Sequence, residues 1–292
     1  MLRDTCIVVD PSDTVTGAAS KMDCHRFDES TPTGHLHRAF SVFLFDSHDR
    51  LLIQQRALDK KTFPGVCAPR YMLASAALPF LCCCNTLLIE CDTSVALAGE
   101  LSSAYFRSTE RSDVWAPGLV TNKMLVQVWT NTCCSHPLHG QTPDEADEAN
   151  AVLSGRVGGT VSAAIRKLEH ELGIPAAALD RRDFVFLTRL LYCAADADAS
   201  SGQSTGWGEH ELDYILFLRA DVPLKPHSEE VSDTKYVTPD ELRAMMRPET
   251  GLRWSPWFRI IADNFLFKWW DNLGGTLGGK HADWGTVHRL QC

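Results

Sequence analysis

Val161, Ala164, Ile165, Leu168 and Leu172 recur at i, i+3, i+4, i+7 and i+11, which lays one apolar stripe along a helix. Gly173 stands where a left-handed residue ends such a helix, and Pro175 prevents it from continuing. A helix with a single apolar stripe must lay it on another layer. Strands are available for that layer. Residues 39–45 read as a buried strand, 46–49 as a turn and 51–56 as the returning strand of a hairpin. Residues 184–192 and 212–218 predict two more strands, separated by a Gly/Ser/Asp/Ala-rich loop over 194–206. A short helix is expected over 239–246 and a long, aromatic-rich one over 257–272. Strands mixed with helices imply an α/β or α+β sandwich.

Residues 66–127 do not fit this order. Only nine of these 62 residues are charged, and five of the chain's 11 cysteines fall among them. Within the segment, residues 71–89 carry no charge, a length within the range of a membrane span. Pro79 and Asn85 interrupt it and no basic flank or second span supports it, so no membrane association is expected. The chain has a formal charge of -9, which argues against a nucleic-acid partner held by bulk electrostatics and requires a local basic cluster for any anionic substrate. The first residues lack a basic start followed by an apolar stretch. With Cys82, Cys83 and Cys84 consecutive and Cys133 and Cys134 adjacent, free or metal-bound thiols in a cytoplasmic setting are expected. His288-Arg289-Leu290 resembles a peroxisomal tripeptide, but Gln291 and Cys292 follow it.

In a strand, residues two apart point the same way, so Cys134 and His136 would project a thiol and an imidazole together, and Glu209 and Glu211 would pair two carboxylates. With His25 and His37 upstream, the chain offers three imidazoles and two carboxylates, a donor set suited to zinc or manganese. Taken singly, each is better explained as a solvated surface group, and only their pairing favours a site. Lys21, Arg56 and Lys60 would suit a phosphorylated substrate, or are solvated charges. Trp207, Trp257, Trp269 and Trp270 would offer an electron-rich face to a cation, or are core.

The run Leu36-His37-Arg38-Ala39-Phe40-Ser41-Val42-Phe43-Leu44-Phe45 strongly resembles the type I isopentenyl-diphosphate delta-isomerases. Leu51-Leu52-Ile53-Gln54-Gln55-Arg56, Thr62-Phe63-Pro64-Gly65, residues 130–138, Glu171-Leu172-Gly173-Ile174-Pro175, Trp207-Gly208-Glu209-His210-Glu211-Leu212-Asp213-Tyr214 and Phe265-Leu266-Phe267-Lys268-Trp269-Trp270-Asp271-Asn272 follow in the family's order. The resemblance covers nearly all of the 230 residues outside 66–127. It implies a Nudix-like α/β/α sandwich with a mixed sheet and a small diphosphate substrate; for the oligomeric state, which the residues leave open, a monomer is expected. The implied activity interconverts isopentenyl and dimethylallyl diphosphate through a tertiary carbocation, in isoprenoid biosynthesis. By the same resemblance Cys134 and Glu211 exchange protons with carbon, Tyr192 hydrogen-bonds near Glu211, and Trp257 faces the cation. His25, His37, His136, Glu209 and Glu211 would hold zinc or manganese. Glu171 would hold a magnesium ion that bridges the diphosphate, and Lys21, Arg56 and Lys60 would bind the diphosphate itself.

A Nudix pyrophosphohydrolase is the competing enzyme. Where the hydrolase pattern wants Arg-Glu-hydrophobic-x-Glu-Glu, this chain has Arg166-Lys167-Leu168-Glu169-His170-Glu171, so Lys167 and His170 replace two of three carboxylates. The family's Phe-Pro-Gly-Val-Trp-Thr-Asn is continuous, whereas here Gly65 and Val128 are separated by residues 66–127. One domain spanning 1–292 and interrupted by this insertion is expected. Val66 is encoded by GTN and Gln127 can be CAG, so the insertion is read as a translated retained intron, against the alternative of a genuine insertion that serves as a lid or interaction element. A surface excursion adds about 0.6 kcal/mol of closure cost per doubling of loop length, so the domain can tolerate it. The alternative is a metal-binding but catalytically silent form whose site the insertion blocks.

Overall fold

The computed structural model describes residues 4–57, 66–67, 125–197 and 204–290. By chain contacts the molecule divides into Met1–Pro69 with Lys123–Cys292, and Arg70–Asn122. The second unit lies outside the described residues, as do Lys60, Thr62-Phe63-Pro64-Gly65 and the uncharged stretch 71–89. Among the described residues no helix is long and apolar enough to cross a membrane.

The chain opens with β1 (Thr5–Val9), β2 (Val15–Ser20) and α1 (Lys21–His25), then the hairpin of β3 (His37–Phe45) and β4 (Leu51–Arg56). Two-residue strands β5 (Val66–Cys67) and β6 (Leu125–Val126) pair antiparallel with each other, so the intervening segment leaves and returns at adjoining points. Strands β7 (Val128–Thr130) and β8 (Cys133–Ser135) follow, then α2 (Ala149–Val152) and α3 (Gly158–Leu172). After them come β9 (Val185–Ala197), β10 (Ser204–Arg219), β11 (Val231–Val237), α4 (Pro239–Met245), β12 (Arg253–Trp254), α5 (Pro256–Ile261), α6 (Phe267–Trp270), α7 (Leu273–Leu277) and β13 (Val287–Arg289).

One mixed sheet runs β12-β7-β4-β3-β10-β9-β13, with β1 and β8 also on β3 and β11 on β4. Its central strand β3 is buried along its whole length because both faces are covered. Alternate residues serve opposite layers, as the two-residue period of a strand requires. Phe40, Val42 and Leu44 join Leu212, Tyr214 and Leu216 beneath Val161, Ala164, Leu168 and Leu172 of α3. Phe43 and Phe45 join Ile215 and Phe217 under Leu242, Phe258, Ile261, Trp269 and Trp270 from α4 to α6. The fold is the expected α/β/α sandwich.

Helix α3 takes the apolar stripe and ends at Gly173, φ +62°, a conformation glycine adopts without strain. Its N-terminus is held by Asp147, whose carboxylate accepts from the backbone N–H groups of Gly159 (2.7 Å) and Thr160 (2.9 Å) and from the Thr160 hydroxyl (2.6 Å). Thr238 and Glu241 form a capping box on α4, with Pro239 in its first turn.

Two expectations are corrected. The helix over 257–272 is not uniform, since Ala262–Leu266 widens into a π-turn between α5 and α6 and the run ends at Trp270. Within it the Asn264 amide donates to the Ile260 carbonyl at 2.8 Å, a side-chain intrusion on the backbone ladder that accompanies the widening. Of the loop expected over 194–206, residues 198–203 lie outside the described residues, and the flanking 194–197 and 204–206 are strand, because backbone pairing carries β9 and β10 outward through Ala194↔Glu209 and Ala195↔Gly208. Gly208 permits this, since a Cβ there would meet the Phe27 ring at 2.4 Å.

Candidate active site and metal cluster

Four elements converge where β3 begins. His25 ends α1, His37 opens β3, His136 follows β8, and Glu209 and Glu211 lie two apart on β10. All five are buried, and their donor atoms lie within 4.8 Å of one another. Register explains the meeting: β10 runs parallel to β3 with Glu211 opposite His37, so the i, i+2 pair of carboxylates faces the imidazole.

Backbone carbonyls orient two of the rings. His25 Nδ1 lies 2.6 Å from the Lys21 carbonyl and His37 Nδ1 lies 2.7 Å from the His35 carbonyl. A carbonyl only accepts, so each Nδ1 carries a proton and Nε2 is the ring nitrogen that faces the cluster. His25 Nε2 stands 2.8 Å from Glu209 Oε2 and His136 Nε2 stands 2.8 Å from Glu211 Oε1. His37 Nε2 is buried without a hydrogen-bond partner, 3.8 Å from Glu211 Oε1. Donors around one divalent ion at about 2.1 Å stand at most about 4.2 Å apart, so three nitrogens and two oxygens confined to this volume fit such an ion after a small contraction.

The electrostatics agree with that chemistry. Burial, with the neighbouring His25, pushes His37 down to about 3. Burial and then the Lys21 ammonium hold His136 well below the usual imidazole range. Neutral imidazoles are the form that ligates metal. Burial drives Glu211 well above the usual carboxylate range, reinforced by Glu209, while Glu209 is held down to about 2 because contact with His25 outweighs its own burial. A bound cation is what would let both carboxylates ionise side by side.

Tyr192 lies opposite Glu211 in the β9–β10 register and donates its hydroxyl to Glu211 Oε2. Cys134 lies on the far side of β3, opposite Ser41, and packs with the cluster of Phe43, Tyr192 and Trp257. Strand β3 therefore separates the strand of the thiol from the strand of the glutamate. Arg56, at the end of β4, is 6% exposed; its guanidinium reaches Cys134 Sγ at 3.9 Å and lies 5.4 Å above the Trp257 ring. Lys21 lies on α1, close enough to act electrostatically on His136. Trp269 and Trp270 belong to the core, and Trp207 pairs by backbone with Arg26 just after α1.

Glu171 stands apart from the five-residue cluster. It is buried on α3, and its carboxylate meets Lys167 Nζ at 3.1 Å, Gln54 Nε2 at 3.0 Å and Cys133 Sγ at 3.6 Å. Lys167, in place of a hydrolase carboxylate, thus puts an ammonium where that chemistry needs an acid.

Several residues of this region were not singled out from the sequence. Arg166 forks onto Glu145 at 2.6 and 2.8 Å, and the same guanidinium donates to the His136 carbonyl at 3.3 Å. Glu145 also accepts from Leu138 N at 2.8 Å, so the pair pins the segment that presents His136. Asn131 is fully buried between Trp257 and the Cys133 carbonyl. Their common signal is weak, a polar residue within an apolar or proline-bounded run.

A model of the NUDIX domain matches residues 152–258, which include Glu171, Tyr192, Glu209, Glu211 and Trp257. Isopentenyl-diphosphate Delta-isomerase I of Camptotheca acuminata is 37% identical over 294 residues, covering 99% of this chain and 92% of that protein. The chloroplastic isopentenyl-diphosphate Delta-isomerase 1 of Cannabis sativa is 38% identical over 295 residues, 99% of this chain and 76% of its own. The isopentenyl-diphosphate delta-isomerase of Gibberella zeae is 37% identical over 290 residues, 99% of this chain and 84% of its own. Similarity of this extent, together with the sandwich fold and the buried His/Glu cluster, places the chain in the isopentenyl-diphosphate delta-isomerase family of the Nudix superfamily.

Proposed function

We propose that this chain interconverts isopentenyl and dimethylallyl diphosphate by adding a proton to the alkene and removing another, through a tertiary carbocation. The observation that carries the reading is the placement of Cys134 and Glu211 on strands either side of β3, both beside the cluster that includes Trp257 and Tyr192. Addition and removal on one short carbon skeleton need two proton-handling groups on opposite sides of it.

Cys134 and Glu211 divide the two transfers. Tyr192 fixes one carboxylate oxygen of Glu211 by hydrogen bonding, and His136 meets the other. Trp257, 4% exposed, offers an electron-rich face and helps keep water from the cation, which hydration would convert to an alcohol. Arg56, Lys21 and Lys60 hold the diphosphate, the fork of Arg56 suiting two phosphate oxygens.

His25, His37, His136, Glu209 and Glu211 are the residues to hold a zinc or manganese ion. Such an ion supplies positive charge that keeps the paired carboxylates ionised and fixes the geometry of Glu211. Glu171, whose carboxylate lies beside the Lys167 ammonium, would hold a magnesium ion, which would supply positive charge toward a diphosphate. We place the chain in the cytoplasm as a monomer.

The segment 66–127 is an insertion into one domain. Pairing of β5 with β6 favours an excursion over a break, since its ends adjoin. It also lies in sequence between Arg56 and Cys134, and this position supports a second reading in which it silences the site.

Supplying the purified chain with isopentenyl diphosphate, magnesium and zinc or manganese tests the activity. Dimethylallyl diphosphate is the expected product, lost in Glu211→Gln. Release of inorganic phosphate or diphosphate without isomer would favour a hydrolase, and metal-loaded but inert protein would favour the silent form.

A further inference from the structure

We infer that Asn131 is a positioning residue that fixes the Trp257 indole against the strand carrying Cys134; this rests on the isomerase reading of the site. Asn131 lies between β7 and β8 and is 0% exposed. Its Oδ1 accepts from Trp257 Nε1 at 3.1 Å and from Thr130 Oγ1 at 2.9 Å. Its Nδ2 donates to the Cys133 carbonyl at 2.8 Å and the Val42 carbonyl at 3.2 Å. The partners settle the amide's orientation, because an indole N–H only donates and a carbonyl only accepts.

The hydroxyls then have one consistent direction. Thr130 spends its proton on Asn131, so Ser255, 2.7 Å away, must donate to Thr130. Ser255 Oγ in turn accepts from Phe258 N at 3.4 Å as the N-cap of α5, and Ser255 N donates to the Trp129 carbonyl at 2.9 Å. The chain of donors therefore runs from the first turn of α5, which bears Trp257, through Ser255 and Thr130 into Asn131, and on to the backbone just before Cys134.

Filling space would not require this residue type. A buried site that presents two donors to one atom and two acceptors to another suits an amide, and any apolar replacement removes the bonds that Asn131 makes to the indole N–H and the two carbonyls. The consequence for chemistry is geometric. Attraction of a cation to an indole depends on its place over the ring, and misplacement of a reacting group by about 1 Å can cost about 100-fold in rate. By holding both the indole and the Cys133 peptide, Asn131 sets the gap between the aromatic face and the thiol.

The test uses the metal-loaded full chain and two ligands, inorganic diphosphate and a diphosphate ester carrying a tertiary ammonium in place of the cationic carbon. The ratio of their affinities, measured by calorimetry, reads alignment of the aromatic face separately from anion binding. In Asn131→Ala the preference for the ammonium ester should fall at least about tenfold while inorganic diphosphate binding stays within about threefold. In a Trp257→Phe background, adding Asn131→Ala should cost less than about threefold more, since the bond it breaks is already gone. Thr130→Val keeps the amide but removes a donor to it, and should lower the preference in the same direction if Asn131→Ala does not fold. An undiminished preference in these variants, or losses that multiply in the double variant, would overturn the role of Asn131 alone. A wild-type chain with no preference for the ammonium ester would overturn the isomerase reading of the site.

Discussion

Cys133 and Cys134 are neighbours in sequence and face opposite layers of the molecule: Cys133 packs with Phe40 and Leu168 beneath α3, and Cys134 lies with Tyr192 and Trp257. Strand alternation alone accounts for this. Cys134→Ala should lower isomerisation by at least about 100-fold, the scale of losing a positioned acid or base, with little change in melting temperature. Cys133→Ala should retain most activity and lose about 1 kcal/mol of stability, the usual cost of a small buried truncation. Progress curves and urea unfolding of both variants measure the split.

Asp13 joins distant parts of the chain. Its carboxylate accepts from Arg38 Nε at 2.7 Å, Arg189 at 2.9 Å and the Tyr214 hydroxyl at 2.5 Å, and both arginines are buried. Asp13→Asn keeps the shape and tolerates the positive φ of 74°, but leaves two buried guanidinium groups without their counter-charge. A loss of about 3–5 kcal/mol is expected in urea unfolding, as for breaking other buried ion pairs.

Asp46 supplies an acid-dependent part of stability. Burial raises its carboxyl, but hydrogen bonds from Arg50 and His48 outweigh burial and hold it below the usual range. A carboxyl lowered in the folded state contributes stability above its unfolded value, near about 3.9, and loses it as pH falls through the folded one. Asp46→Asn should therefore be less stable than wild type at pH 6, with the difference in urea midpoint closing as pH falls below about 4.

The central sheet and α3 are legible in the sequence because each follows a strict period: β3 is an apolar run flanked by a turn, and α3 repeats its stripe through four turns. The N-terminal hairpin is not, since β2 reads Val-Thr-Gly-Ala-Ala-Ser with a mostly exposed face, and nothing local marks it as the support of α1 and His25. The outer halves of β9 and β10 look like loop because alanine, glycine and aspartate carry little strand signal, yet their backbone pairing extends the ladder. At the site, the i, i+2 pair of Glu209 and Glu211 on β10 can be read from spacing. Asn131 and the Arg166–Glu145 fork cannot, because their partners are set by tertiary packing.

Glu209 tests the metal cluster separately from turnover. Glu209→Gln removes an anionic donor, and metal affinity should fall by at least about 10–100-fold, the cost of disturbing even an outer partner of a ligand. Elemental analysis after dialysis reads the loss. Chelation of wild type should lower its melting temperature, because an ion bound only by the folded chain stabilises it, and should leave the melting temperature of Glu209→Gln nearly unchanged.

The most direct measurement follows isopentenyl diphosphate in deuterium oxide with the full chain, a version joining Gly65 to Val128, and Cys134→Ala in each, each supplied with magnesium and zinc or manganese. Dimethylallyl diphosphate carrying deuterium in a methyl group is expected from the joined chain, and from the full chain as well where the insertion is only an excursion, with neither product nor label after Cys134→Ala. If folded, metal-loaded joined chain forms no labelled isomer, or forms it equally well without the Cys134 thiol, proton transfer between Cys134 and Glu211 across β3 is contradicted.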